Sequence, residues 1–216
     1  MISTNITKIK DALPPHVTLV AVSKLQSVET ILKAYHTGHR HFGENRPQEF
    51  STKHPLLPND IIWHFIGRLQ TNKVKLVVGK AALIHSIDSL RLLMAVEREA
   101  LKQGTVQDCL LAFHIAAEES KSGFSIEEVF TPEWPNFKAV RFCGVMGMAS
   151  FTEDKEQIRK EFRTLKHYFD QIKDSNFAHN PHFCHLSMGM SNDWPIAIEE
   201  GSTLIRVGTQ IFGAAH

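Results

Sequence analysis

Lys24 follows an apolar run directly, in Ala21-Val-Ser-Lys24. A lysine at the end of a strand, facing a closed mouth, is partly desolvated. That favours the neutral amine needed to form an imine with an aldehyde. On position alone, an ordinary lysine opening a loop is the stronger reading.

Two late segments supply chemistry of another kind. Ser187-Met-Gly-Met-Ser191-Asn-Asp193 combines hydroxyls, a glycine and candidate helix caps. Arg206-Val-Gly208-Thr209 carries a glycine whose missing side chain lets backbone amides approach an anion. Taken singly, Ser191 could be a helix N-cap and Gly208 a tight turn. At adjacent strand ends they suggest a phosphate cup built from amides and hydroxyls, without a Walker lysine. A phosphate cup together with an imine-forming lysine is what pyridoxal 5′-phosphate (PLP) requires.

The 13 histidines invite a metal reading. His36, His39 and His41 cluster, as do His179, His182 and His185, but neither group has cysteine or carboxylate partners at zinc-site spacing. No metal is expected.

These residues need elements to hold them. Ile2, Ile6, Ile9 and Leu13 mark one face of an N-terminal helix that Pro14-Pro15 ends. Short apolar runs then alternate with amphipathic stretches. Strands are expected at 17–23, ending at 43, and at 61–66, 82–85, 109–115, 140–146, 182–186 and 203–207. The first is nearly continuous and β-branched, as in a strand covered on both faces. Ser27 caps a helix with Val28, Ile31, Leu32 and Tyr35 on its core face. Asp88 is read as the cap of a helix carrying Leu90, Leu93, Met94 and Leu101. Ser125 and Glu128 form a capping box. Thr152 is read as the cap of a long helix, with Glu153 and Asp154 in its first turn and a stripe of Ile158, Phe162, Leu165, Phe169 and Ile172. Eight strands separated by helical segments imply parallel βαβ units. The expected fold class is α/β, a single (β/α)8 TIM barrel with an extra N-terminal helix, because closure leaves no edge strand. A doubly wound open sheet is the alternative.

The 216 residues suit one domain, 1–216. A composition of 43% hydrophobic and 22% charged residues is that of an ordinary globular protein. A net charge of +1 gives no electrostatic reason to expect nucleic acid or an anionic membrane. Cys109, Cys143 and Cys184 are widely spaced among apolar neighbours and read as reduced, buried thiols. No signal peptide or spanning segment is seen, so a cytoplasmic protein is expected.

The sequence resembles the pyridoxal phosphate homeostasis proteins (the YggS/PROSC family). The matching blocks are Ala21-Val-Ser-Lys24; His41-Phe-Gly-Glu-Asn45; Trp63-His-Phe-Ile-Gly67 with Leu69-Gln-Thr-Asn-Lys73; Ser120-Lys-Ser-Gly-Phe124; Gly144-Val-Met-Gly-Met148; Leu186-Ser-Met-Gly-Met-Ser191; and Arg206-Val-Gly-Thr209 with Ile211-Phe-Gly213. They run in order over nearly the whole chain. The resemblance implies a (β/α)8 barrel like the N-terminal domain of alanine racemase. It also implies a Schiff base on Lys24, phosphate contacts from Ser191, Gly208 and Thr209, and Arg206 near the pyridine nitrogen. Asn45 is implied near the ring substituents. Met148 is read as packing on the ring or, equally, as plain barrel core; His64 is read first as a satisfied barrel-end histidine, with a pocket residue as the alternative.

The function implied is PLP homeostasis without established turnover, with PLP-dependent apoenzymes as candidate recipients and the monomer as the expected state. Two enzymes remain as alternatives, an amino-acid racemase and a Schiff-base aldolase. A racemase needs a base on each face of the substrate carbon. This chain's tyrosines, Tyr35 and Tyr168, fall on predicted helices away from the strand ends. A cation at Arg206 also makes the ring a poorer electron sink than a carboxylate partner would.

Overall fold

A computed structural model describes residues 1–117, 123–130 and 136–213. Eight parallel strands close into a barrel in chain order. They are β1 (Thr18–Val22), β2 (His41–Glu44), β3 (Ile62–Phe65), β4 (Leu83–Ile87), β5 (Gln107–Ala112), β6 (Val140–Met146), β7 (His185–Ser187) and β8 (Leu204–Val207). Closure is decided at β1, which pairs with β2 on one side (Ala21 opposite Phe42) and with β8 on the other (Ala21 opposite Val207). Because the other strands also pair in chain order, the β1–β8 pairing closes the ring; an open sheet in this order would leave β1 and β8 as edges.

The helices are α1 (Ile2–Asp11), α2 (Val28–Tyr35), α3 (Pro47–Lys53), α4 (Leu90–Gln103), α5 (Ile126–Val129), α6 (Lys155–Ser175), α7 (Trp194–Glu199) and α8 (Thr209–Phe212). The crossover between β3 and β4 is made by a 3-10 helix, Thr71–Leu76. Ser27 caps α2 by accepting from the Thr30 amide, and the Ser125/Glu128 capping box opens α5. All five apolar residues of the expected α6 stripe are buried.

Four local readings shift. Ser89, one residue after Asp88, caps α4 by accepting from the Leu92 amide, while Asp88 accepts from the Ser89 hydroxyl. Asp154 caps α6 through the amides of Glu156 and Gln157, and Thr152 instead accepts from the Asp154 amide. The face of α4 is rotated as well: Leu92, Leu93, Val96 and Ala100 are buried, whereas Leu90, Met94 and Leu101 are exposed. So many residues of α4 are apolar that spacing fits more than one face; packing against β4 to β6 selects one. Cys184, expected inside, is exposed just before β7, while Cys109 and Cys143 are buried.

The apolar core divides into two layers. One large cluster lies between sheet and helices. A smaller one, with Val20, Leu83, Leu110, Met146 and Leu204, fills part of the barrel interior. Strand side chains alternate between faces, so positions two residues along from these, such as His85 and Arg206, carry more of the interior, and several are polar.

Candidate cofactor-binding site

The end of β1 is held by α3. Ser23, fully buried, donates from its amide to the Gly43 carbonyl and from its hydroxyl to Glu44 Oε1. Lys53 Nζ, on α3, donates to the Ser23 carbonyl and to Glu44 Oε1, each at 3.0 Å, and also pairs with Glu49. Leu25 adopts φ +62°, the left-handed region that costs a branched side chain strain. Its amide donates to Glu49 Oε1 at 2.7 Å. Backbone on both sides of Lys24 is thus tied to one helix. Burial raises the Glu44 pKa, against the opposing pull of Ser23 and Lys53.

Lys24 itself is exposed, which corrects the expectation of a desolvated amine. β1 ends at Val22, Ser23 is the last buried residue, and the lysine stands beyond the rim.

At the next two strand ends, Gly67 packs against the backbone of Asn45. A Cβ at Gly67 would lie 2.1 Å from the Asn45 carbonyl oxygen, so the chains approach closely only because glycine is there. Asn45 is half-buried, and its Oδ1 is buried without a hydrogen-bond partner among the described residues.

Across the mouth, the turn after β7 is fastened to α8. Gln210 Nε2 donates to the Ser191 carbonyl at 2.6 Å, and Gln210 Oε1 accepts from Trp194 Nε1. The N-cap position of α7 falls on Asp193, not on Ser191. Asp193 is buried and accepts from the Met190 amide; burial raises its pKa. At Gly208 a Cβ would meet Val22 at 3.3 Å, so the β8 turn lies directly on the end of β1.

Arg206 is 4% exposed. Its guanidinium donates to Ser187 Oγ at 2.5 Å and to the Gly147 carbonyl at 3.1 Å. Desolvation lowers its pKa to about 10, partly offset by Asp193, and it stays cationic at neutral pH.

All seven residues singled out in the sequence line one cavity of about 320 Å³ at the C-terminal mouth. Lys24 and Asn45 come from the β1 and β2 ends, Met148 from β6, Ser191 from β7, and Arg206, Gly208 and Thr209 from β8. Met148 is 38% exposed, so it belongs to the rim and not to the barrel core, where Met146 lies. Ile66, Gly67, Arg68 and Met190 also line the cavity. All but Arg68 fall inside matching blocks, but sequence reasoning assigns them no role. Ser120, Lys121 and Ser122 of the Ser120–Phe124 block lie outside the described residues; Phe124 is buried.

His64 is not at the barrel end. It lies inside, 3% exposed, bonded through both ring nitrogens: Nε2 to His41 Nδ1 at 3.0 Å and Nδ1 to His85 Nε2 at 2.9 Å. His85 Nδ1 continues to Ser187 Oγ at 2.9 Å. Desolvation lowers the pKa of His64 to about 3 and that of His85 well below the ordinary value, so both are neutral at physiological pH.

The family model of the alanine racemase N-terminal domain matches residues 1–216. A pyridoxal phosphate homeostasis protein of Aquifex aeolicus (strain VF5) is 41% identical over 201 residues, covering 90% of this chain and 86% of the relative. The chain belongs to the pyridoxal phosphate homeostasis protein family. A second member, from Helicobacter pylori (strain ATCC 700392 / 26695), is 39% identical over 216 residues, 97% of this chain and 94% of that one. Among solved structures, PipY of Synechococcus elongatus PCC7942 with PLP bound superposes with a TM-score of 0.88 at 34% identity, covering 99% of this chain and 100% of PipY. PipY therefore shares the fold of this chain over nearly its whole length. Among the described residues no helix is long and apolar enough to cross a membrane.

Proposed function

We propose that this chain binds PLP as a Schiff base on Lys24 and serves PLP homeostasis as a carrier without turnover. The carrying observation is the convergence of Lys24, Asn45, Met148, Ser191, Arg206, Gly208 and Thr209 on one cavity. The donor set fits a phosphorylated pyridine aldehyde. An exposed primary amine stands on one side, and hydroxyls and backbone turns at Ser191, Gly208 and Thr209 stand at the adjacent strand ends, where barrels of this class hold phosphate. The buried, unpartnered Asn45 Oδ1 offers an acceptor beside the Lys24 side of the cavity. Bound there, PLP supplies an electrophilic aldehyde and an electron-withdrawing ring. Arg206 can donate a hydrogen bond to a ring nitrogen but, being cationic, disfavours protonating it. Met148 offers an apolar surface for one ring face.

Among the described residues, neither tyrosine is placed to act as a racemase's second base. Tyr35 lies on α2 with its hydroxyl donating to Asp60, and Tyr168 lies on α6 against Phe113; neither lines the cavity. PLP-dependent apoenzymes are the proposed recipients of the cofactor. We read residues 1–216 as one domain acting as a monomer in the cytoplasm, where unpaired thiols such as Cys109 and Cys143 persist.

The test is an absorbance titration with PLP, which should yield a saturable long-wavelength band in the native chain and none in Lys24→Ala. Incubating the loaded protein with amino acids in heavy water separates carrier from enzyme. Catalytic α-proton exchange well above that of free PLP would overturn the carrier reading.

A further inference from the structure

The polar side chains inside the barrel form one continuous chain from its base to the cavity. His41 opens β2, His64 and His85 are in mid-strand on β3 and β4, Ser187 ends β7 and Arg206 is on β8. Each neighbour in that series is hydrogen-bonded to the next, at 3.0, 2.9, 2.9 and 2.5 Å. His64, His85, Ser187 and Arg206 are all at least nine-tenths buried, so water cannot readily substitute for a missing partner.

The chemistry fixes the direction of this chain. A guanidinium has donors only, so Ser187 Oγ must accept from Arg206. The hydroxyl proton is then left for His85, whose Nδ1 accepts it. A neutral imidazole with Nδ1 unprotonated carries its hydrogen on Nε2, which is therefore the donor to His64 Nδ1. The same step repeats from His64 Nε2 to His41 Nδ1. One end can only give and every middle member must both give and take, so a single ordering satisfies all of them. The opposite ordering would leave the Ser187 hydroxyl proton without an acceptor among the described residues.

We infer that Ser187 and His85 are positioning residues for Arg206, aligned by a one-way hydrogen-bond chain that His64 and His41 complete. With its proton committed to His85, Ser187 presents its lone pairs to Arg206. The Gly147 carbonyl holds the other terminal nitrogen. Together they fix the plane of the guanidinium at the cavity wall. The functional part of this inference rests on the proposed PLP reading; the ordering of protons along the chain of side chains does not.

The test has two arms. In the protein without added cofactor, histidine side-chain 15N NMR at neutral pH should show His85 and His64 as neutral rings protonated on Nε2. Ser187→Ala should change the His85 spectrum. A His85 ring protonated on Nδ1 would overturn the ordering, whether or not the chain binds PLP.

The second arm measures PLP affinity and the absorbance band of the bound cofactor in His85→Leu, His85→Gln and Ser187→Ala. Leucine removes both hydrogen bonds, whereas glutamine can accept from Ser187 through its carbonyl and donate to His64 through its amide. His85→Leu and Ser187→Ala should each weaken PLP binding about tenfold and shift the band, with His85→Gln within about threefold of the native chain. Should His85→Leu fail to fold, Ser187→Ala and His85→Gln carry the comparison. Thermal destabilisation with unchanged affinity and band in the folded variants would overturn the positioning role, since a purely structural residue would give that result. A native chain that binds no PLP fails the proposed function, leaving the NMR arm to decide the ordering by itself.

Discussion

Lowering the pH from 7 to 5 should destabilise the barrel through its buried histidines by an amount that can be worked out. His64 is 3% exposed and His39 is 2% exposed, and desolvation lowers their pKa values to about 3 and about 4. In the unfolded chain both return to about 6.5. Between those limits the unfolded state binds more protons than the folded one, so stability is complete above the unfolded pKa and is lost as the pH falls. At pH 5 the unfolded histidine is about 1.5 units below its pKa, which at about 1.4 kcal/mol per unit costs roughly 2 kcal/mol for each ring. These two rings alone give roughly 4 kcal/mol, equivalent to a fall in Tm of about 8–16 °C for a domain of this size, and His85, likewise buried and held neutral, adds to the loss. Urea denaturation followed by tryptophan fluorescence between pH 5 and 7.5 would measure this. His64→Gln, which keeps a donor and an acceptor in the barrel, should reduce the slope by about one proton, or close to 1.4 kcal/mol per pH unit in the lower part of the range. If native and variant proteins share one slope, His64 is not held neutral inside, and the reasoning about the barrel interior fails.

Three other substitutions probe the supports of the cavity. Lys53→Met leaves Glu44 buried without its cation and should cost about 3–5 kcal/mol in chemical denaturation; a loss under about 1 kcal/mol would mean the pair does little. Gly67→Ala drives a methyl group into the Asn45 carbonyl, so the two strand ends must part; we expect PLP affinity to fall by about tenfold or more, and unaltered affinity would show that this close approach is dispensable. Glu161 on α6 accepts from the Ser150 amide at 2.6 Å, the Ser150 hydroxyl at 2.7 Å and the Ala117 amide at 3.2 Å, tying down the segments after β5 and β6. Glu161→Ala should cost about 2–4 kcal/mol and raise amide exchange at Ser150; protection of Ser150 at native levels would contradict that role.

Much of this architecture is legible in the sequence because it is written in local patterns. The apolar runs give the strands in order, and Ser27 and the Ser125/Glu128 box mark helix starts whose hydrogen bonds close within three residues. Lys24, Ser191, Gly208 and Thr209 are readable for a related reason, since in a parallel barrel strand ends gather on one face whatever lies between them; Asn45 and Met148 come only with the family resemblance. What sequence reasoning missed depends on partners far apart in the chain. His64 looks like any satisfied histidine until its register against His41 and His85 is known. Glu44 and Lys53 carry no local signal that they pair, yet β2 and α3 bury them together beneath Ser23. The exposure of Lys24 is likewise set by where β1 stops relative to the rim, a matter of one or two residues that β-propensity does not resolve. The misplaced caps at Asp88 and Thr152 have a similar cause, since several capping residues stand side by side and only backbone geometry chooses between them.

The proposed function stands or falls on the amine at the end of β1 being the point where the cofactor attaches. Borohydride reduction of PLP-treated protein, followed by peptide mass mapping, reads that attachment out residue by residue. A single pyridoxyl group on the peptide containing Lys24 is expected. A pyridoxyl group on any other lysine with Lys24 unmodified, or no stable adduct at saturating PLP, would contradict it.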